Sequence, residues 1–311
     1  MDTRIQVSEQ QDNFETILEA TLNGIGEGSR PVYEGTLRAY MDWASQQHAG
    51  DAYSHVVAYR RHLEDRELAI GTINRHLSAI RNFYRTATNM GQLPEDIFQR
   101  ILQVKNIRSQ GQKHGTWLPL EDAQKLLGAP DVTTLKGLRD RAILAVMLGC
   151  GLRRSEVAKL RMDHLKFHGK ADDGYWTIEN LLGKHNRVRS IPMQQWVSKA
   201  LSQFIGRKME ISGTIHTNRV FFSIDRHGNW STTISSQAVW NIVTEYAAQC
   251  GFSHIAPHDL RRTYAELMRR HGAELEEIQT LLGHSSLTTT QRYLENKVDP
   301  VRVSNIIPLE I

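Results

Sequence analysis

Residues 165–191 read LKFHGKADDGYWTIENLLGKHNRVRSI, and the period of their apolar positions decides the fold class. Leu165–Phe167, Tyr175–Asn180 and Arg187–Ile191 fit short extended runs. Turn residues separate them at Gly169–Gly174 and Gly183–Asn186. Three such runs joined by tight turns predict one small antiparallel sheet. On both sides the spacing returns to a helical period. Pro119 opens a helix through Leu127, and Thr134–Leu148 is a strongly apolar helix ended by Gly149 and Gly151. Ser155 is the expected cap of a helix from Glu156 to Leu160. Helices are also expected at Gln194–Phe204, Ser235–Cys250, Asp259–His271 and Leu275–Leu282, with a last one starting near Ser286.

Upstream of residue 109 only the helical period occurs. Asn13–Leu22 is a short amphipathic run, and Pro31 opens a helix carrying Leu37, Tyr40, Met41 and Trp43. Asp51 is a plausible cap for Tyr53–Leu63. Ile73, Leu77, Ile80, Phe83 and Tyr84 form one helical stripe ending near Gly91. The same helix carries Arg75, Arg81 and Arg85, which suit either a solvated face or phosphate contacts of a DNA-binding module. Asn106–Gly115, NIRSQGQKHG, has Ile107 as its one apolar residue and reads as a linker. The expected organisation is a helical DNA-binding domain over 1–108, a linker over 109–116 and a mixed domain over 117–311. The fold class is mainly α with a small antiparallel β-sheet.

Composition narrows the function. The 311 residues are 40% apolar, enough for ordinary cores, and no run of eighteen apolar residues would span a membrane. The opening MDTRIQVSEQQDNFET lacks the apolar centre of a secretory signal, so a soluble cytoplasmic protein is expected. Cys150 and Cys250 are the two cysteines; neither a disulfide framework nor a zinc site is expected, and no HExxH occurs, so no metal is expected. Residues 1–108 hold 12 basic against 14 acidic side chains, and residues 109–311 hold 26 against 20. The basic excess in the second part fits a polyanionic partner.

Five segments carry candidate chemistry. In Gly151-Leu152-Arg153-Arg154-Ser155-Glu156, an arginine precedes a helix and a carboxylate follows three residues on, a pattern that can aim a guanidinium at a phosphate. Lys184 sits at the tip of the Gly183–Asn186 turn, where it can reach a ligand or donate a proton. His258 and Arg261 are i, i+3 at a helix start, which attracts anions. His284 follows the helix-ending Gly283. Tyr293, in TTTQRYL, could be ordinary packing or a nucleophile that needs a base or strong transition-state stabilisation.

Together the segments GLRRSEVAKLR (151–161), LLGKHNRVRSIP (181–192), PHDLRRTYAELM (257–268) and LLGHSSLTTTQRYL (281–294) resemble the phage-integrase, or tyrosine recombinase, family in order and spacing. The resemblance is close over about 117–295; residues 1–108 are similar to the family's helical core-binding domain in character and size. It implies that Arg153 and Arg261 clamp the scissile phosphate. His258 would hydrogen-bond that phosphate and assist proton removal from Tyr293. Lys184 would protonate the leaving 5′ oxygen, His284 would support the phosphate and Glu156 would orient the site. Tyr293 would form a 3′-phosphotyrosyl bond. No cofactor is implied, neither ATP nor metal. Arg262 stands where many relatives carry histidine, and Gly149-Cys150-Gly151 replaces a commoner small-Thr-Gly turn.

The implied partner is double-stranded DNA at specific recombination sites, bound by a homotetramer, with accessory DNA-bending proteins in some settings and no membrane. The implied setting is integration, excision or recombination of mobile DNA. The tail after Tyr293, with Val301, Val303, Ile306, Ile307 and Leu309, is expected either to dock on a neighbouring protomer or to fold back on its own domain. Two further readings use the same residues: a type IB topoisomerase-like strand relaxer, and an architectural DNA-binding protein with an idle site.

Overall fold

The computed structural model describes residues 3–47, 50–108, 116–170, 174–182, 188–212, 217–225 and 227–283. The chain divides into two compact units, Met1–Gln112 and Lys113–Ile311. The fold is mainly α-helical with one small antiparallel sheet.

In the first unit the described helices are α1 (Thr3–Asn23), α2 (Arg30–Ala44), α3 (Ala52–Asp65), α4 (Ile70–Asn89) and α5 (Glu95–Leu102). The stripe Ile73, Leu77, Ile80 and Phe83 of α4 is buried as its spacing predicts. It packs with Leu18 of α1, Leu37 and Tyr40 of α2, and Val56 and Leu63 of α3. Asp51 caps α3, accepting the Ser54 N–H at 2.8 Å. The buried Tyr40 hydroxyl meets that of Tyr84 at 2.9 Å, so neither phenol is left unsatisfied. Two features depart from the sequence reading. Helix α5 has a signal that the reading passed over: Pro94 at its cap, then Glu95 and Asp96 in the first turn. The chain also stays attached beyond Asn106. The Asn74 amide donates to the Ile107 carbonyl and accepts its N–H, both at 2.9 Å.

The second unit is built around α7 (Leu135–Cys150). It follows α6 (Leu120–Gly128) and precedes α8 (Arg154–Lys159). Thr134 caps α7, accepting the Gly137 N–H at 3.0 Å. Every residue from Ala142 to Met147 is fully buried, so this stretch of the helix is apolar all round and sits in the core. The sheet is β1 (Leu165–His168), β2 (Tyr175–Leu182) and β3 (Val188–Pro192), antiparallel in that order. Ile178 pairs with Leu165 on one side and Ile191 on the other, which directs these apolar side chains to the core. Strand β2 runs two residues past the expected end, through an irregularity between Ile178 and Leu181. Helices α9 (Gln195–Ser212), α10 (Ser236–Gln249), α11 (Pro257–Arg270) and α12 (Leu275–Leu282) follow. Helix α9 extends eight residues beyond Phe204. The helix expected near Ser286 lies outside the described residues, as do 109–115 of the expected linker.

One buried ion pair ties α7 to its neighbours. The Asp140 carboxylate, fully buried, accepts from Arg139 at 2.8 and 2.6 Å, from the Tyr246 hydroxyl at 3.1 Å and from Lys136 at 3.2 Å. Removing its charge leaves Arg139 buried without a counter-ion. Asp140→Asn is therefore expected to lower the unfolding free energy by about 3 kcal/mol in urea titrations. An unchanged midpoint would contradict this role.

Candidate active site

The sequence places Arg153 in the turn between α7 and α8, and the structure shows what fixes it. Glu156 reaches back to accept the Arg153 backbone N–H at 2.7 Å, closing the helix start from its third position. Arg153, not Ser155, is consequently the first flanking residue of α8, and Ser155 lies inside the helix. The Arg153 guanidinium donates to Glu156 Oε1 at 2.8 Å. A second arginine, Arg189 of β3, grips the same carboxylate with two N–H groups at 3.0 and 2.8 Å. Its Nε donates to the carbonyl of Leu281, near the end of α12, at 2.9 Å.

Glu156 and Arg189 are nearly buried, at 5% and 7% side-chain exposure. Burial alone would raise the Glu156 carboxyl pKa. The hydrogen bonds and charge of Arg189, with the Arg153 N–H, outweigh it and hold the group below its ordinary value. Arg189 was not singled out in the sequence. Its signal is weak: an arginine on an inward-facing strand position, needing a buried carboxylate elsewhere.

Helix α11 starts at Pro257, two residues before the sequence reading put it. Proline fits the first helical turn, and the Asp259 carboxylate accepts the Ala256 N–H at 3.0 Å. His258 and Arg261 thus share one face of the first turn. Arg261 is 1% exposed, and its guanidinium donates to the carbonyls of Gly151 and Leu282. Gly151 sits at φ +60°, and a Cβ there would come within 2.5 Å of the Tyr264 ring. Glycine is needed for the end of α7 to approach α11 this closely. Gly283, at φ +62°, likewise leaves room beside the Arg189 side chain.

Arg153, Arg154, Ser155, His258 and Arg261 line one concavity of about 400 Å³. Three guanidinium groups and an imidazole line it with no carboxylate among the described residues; it suits an anion. A larger hollow of about 890 Å³ lies in the first unit, where Arg60 and Arg61 face Glu64 and Asp65. Lys105 also lines it and Arg60 pairs with Glu64 at 2.8 Å, so its lining mixes both signs, and the smaller concavity, with no carboxylate among the described residues, is the better anion site. The pKa of His258 is lowered, first by desolvation and then by the charges of Arg262, Arg261 and Arg153. His258 is an exposed residue, yet its ring is held toward the neutral form.

Lys184, His284 and Tyr293 lie outside the described residues. Arg75 and Arg85 of α4 are exposed. Arg81 departs from the expectation: its guanidinium donates to the Val104 carbonyl and, at 2.9 Å, to Asn106, so it anchors the chain after α5.

The Phage integrase family matches residues 116–299, and the family's N-terminal SAM-like domain matches residues 22–91. The chain belongs to the phage integrase family. Its enzyme class is accordingly that of the tyrosine-type site-specific recombinases. The chain is 29% identical over 278 residues to the tyrosine recombinase XerD of Lacticaseibacillus casei, covering 87% of this chain and 88% of that one. It is 30% identical over 225 residues to XerC of Myxococcus xanthus, covering 71% and 70%. Its fold is similar to XerH site-specific recombinase bound to a palindromic difH substrate (TM-score 0.68, 17% identity, 90% and 79% covered). It is also similar to the Tn1549 transposon integrase with circular intermediate DNA (TM-score 0.66, 16% identity, 94% and 98% covered).

The lowered Glu156 pKa sets a pH dependence for this phage integrase fold. A carboxylate with a depressed folded-state pKa stabilises the fold above its unfolded value, and that contribution is lost as pH falls through the folded value. The unfolding free energy should therefore drop across the acid range in urea titrations, and Glu156→Gln should show a smaller drop. Equal slopes would contradict the assignment.

Proposed function

We propose that the protein cleaves and rejoins double-stranded DNA at specific sites through a 3′-phosphotyrosyl bond to Tyr293, in integration, excision or recombination of mobile DNA. The observation that carries the reading is the meeting of Arg153, His258 and Arg261 on one cationic concavity. The reaction is a transesterification. The Tyr293 oxygen attacks the phosphorus, its proton leaves toward His258, and the 5′ oxygen departs with a proton from Lys184. The phosphoryl group changes partners with no net hydrolysis, so resealing runs the same steps backward. Arg153 and Arg261 bind the non-bridging oxygens, where charge builds in the transition state. His284 supports the phosphate, and Glu156 holds Arg153.

Arg75 and Arg85 are proposed to contact phosphates outside the reacting one. The domains are proposed as a helical DNA-binding part over 1–108, a linker over 109–116 and a catalytic part over 117–311. Four protomers would act on two sites, and the tail after Tyr293 would dock on a neighbouring protomer.

The test is covalent trapping. The protein is incubated with fragmented DNA of its source in EDTA, denatured, and assayed for protein-linked DNA. Linkage by the wild type and none by Tyr293→Phe, with DNA binding retained, is expected. DNA binding with no linkage would overturn the reading in favour of an architectural protein. Relaxation of supercoiled DNA without strand exchange between sites would favour the topoisomerase-like reading.

A neutral His258 can accept a proton, and its lowered pKa extends the neutral form toward acid. The acid limb of the linkage rate should therefore lie below the ordinary histidine value and vanish in His258→Gln. A limb at or above that value would contradict the role of His258.

A further inference from the structure

Trp240 lies on α10, whose Val239, Ile242 and Val243 turn into the core. Its own side chain turns outward and is 38% exposed. Among the described residues its ring has no aromatic or cationic stacking partner. It lines the same concavity as Arg153, Arg154, His258 and Arg261, and among the described residues it is the one large aromatic side chain there. The concavity thus has a cationic part and a flat apolar wall.

A phosphodiester has the matching chemistry. Its charged oxygens suit the arginines, and the deoxyribose rings esterified to it are the apolar groups nearest to them. A base in a duplex is farther from the phosphate and would have to leave its stack to meet the indole. We propose that Trp240 packs its ring face against a deoxyribose flanking the reacting phosphate, excludes water there and sets the register of the strand. This rests on the recombinase reading above. None of the roles proposed above includes this residue, and it extends the anion site into one that recognises a phosphate with its sugar.

The consequence is a step that slows while overall affinity holds, because most DNA affinity comes from the many phosphate contacts. Losing the wall should cost about tenfold in linkage rate at saturating protein, the scale of one aromatic contact combined with looser positioning.

The experiment uses duplexes carrying the site recovered by covalent trapping. The nucleotide on each side of the reacting phosphate is replaced in turn by an abasic residue, which keeps the sugar, or by a propanediol spacer, which lacks it. Linkage rates are compared for wild type, Trp240→Phe and Trp240→Ala. The spacer on one side is expected to slow the wild type about tenfold, with the abasic residue without effect. Trp240→Ala should be about tenfold slow on intact DNA and indifferent to the spacer, and Trp240→Phe close to wild type. A purely structural role would leave the spacer sensitivity of Trp240→Ala intact and would overturn the proposal. So would wild-type rates for Trp240→Ala, or an abasic residue as harmful as the spacer, which would mean base contact. Failure of the wild type to link to the unmodified duplex would instead overturn the recombinase reading itself.

Discussion

The second unit depends on one buried carboxylate held by two arginines. Glu156 accepts from Arg153 of its own turn and from Arg189 of β3. Taking Glu156 and Arg189 out of water is costly, and attraction at short range offsets it only when every group is hydrogen-bonded. Here each carboxylate oxygen has two donors, and Arg189 has a third partner in the Leu281 carbonyl. The cluster carries one negative and two positive charges. The surplus positive charge lies beside the concavity, so a bound anion would complete the local balance.

That cluster also joins parts of the chain far apart in sequence. Through Arg189 the sheet is tied to α8 and to the end of α12. Arg261 does the same from α11 by holding carbonyls at the ends of α7 and α12. Arg153 and Arg261 are thereby positioned by fixed partners before any ligand arrives. Transition-state stabilisation needs this, because donors that must reorganise during the reaction lose much of their worth.

Much of this was legible from residue patterns. The Ile73–Phe83 stripe, the apolar α7 and the switch to period two at Leu165 all rest on local spacing, and local spacing is what burial selects. The pairing of Arg153 with Glu156 was legible because both lie in one turn. Arg189 was not, because its partner is 33 residues away and only the folded sheet brings them together. Arg81 has partners that its helix does not reveal. Its place on an arginine-bearing helix suggested phosphate contact, but the carbonyl of Val104 and the side chain of Asn106 are 23 and 25 residues distant and invisible to helical periodicity. The start of α8 moved for a similar reason: serine is a common cap, but the Glu156 side chain closes the turn at Arg153, two residues before Ser155.

The Glu156–Arg189 pair holds Arg153 and α8 to the sheet and to the end of α12. A double-mutant cycle tests it most directly, with Glu156→Gln, Arg189→Met and the pair measured for unfolding free energy and for covalent linkage rate at a temperature where all remain folded. Strong non-additivity is expected in both: Glu156→Gln leaves the buried Arg189 without its counter-ion, Arg189→Met leaves the buried Glu156 with Arg153 alone, and the double change costs less than the sum. Additive effects on both, or losses in stability with linkage rates unchanged, would contradict it.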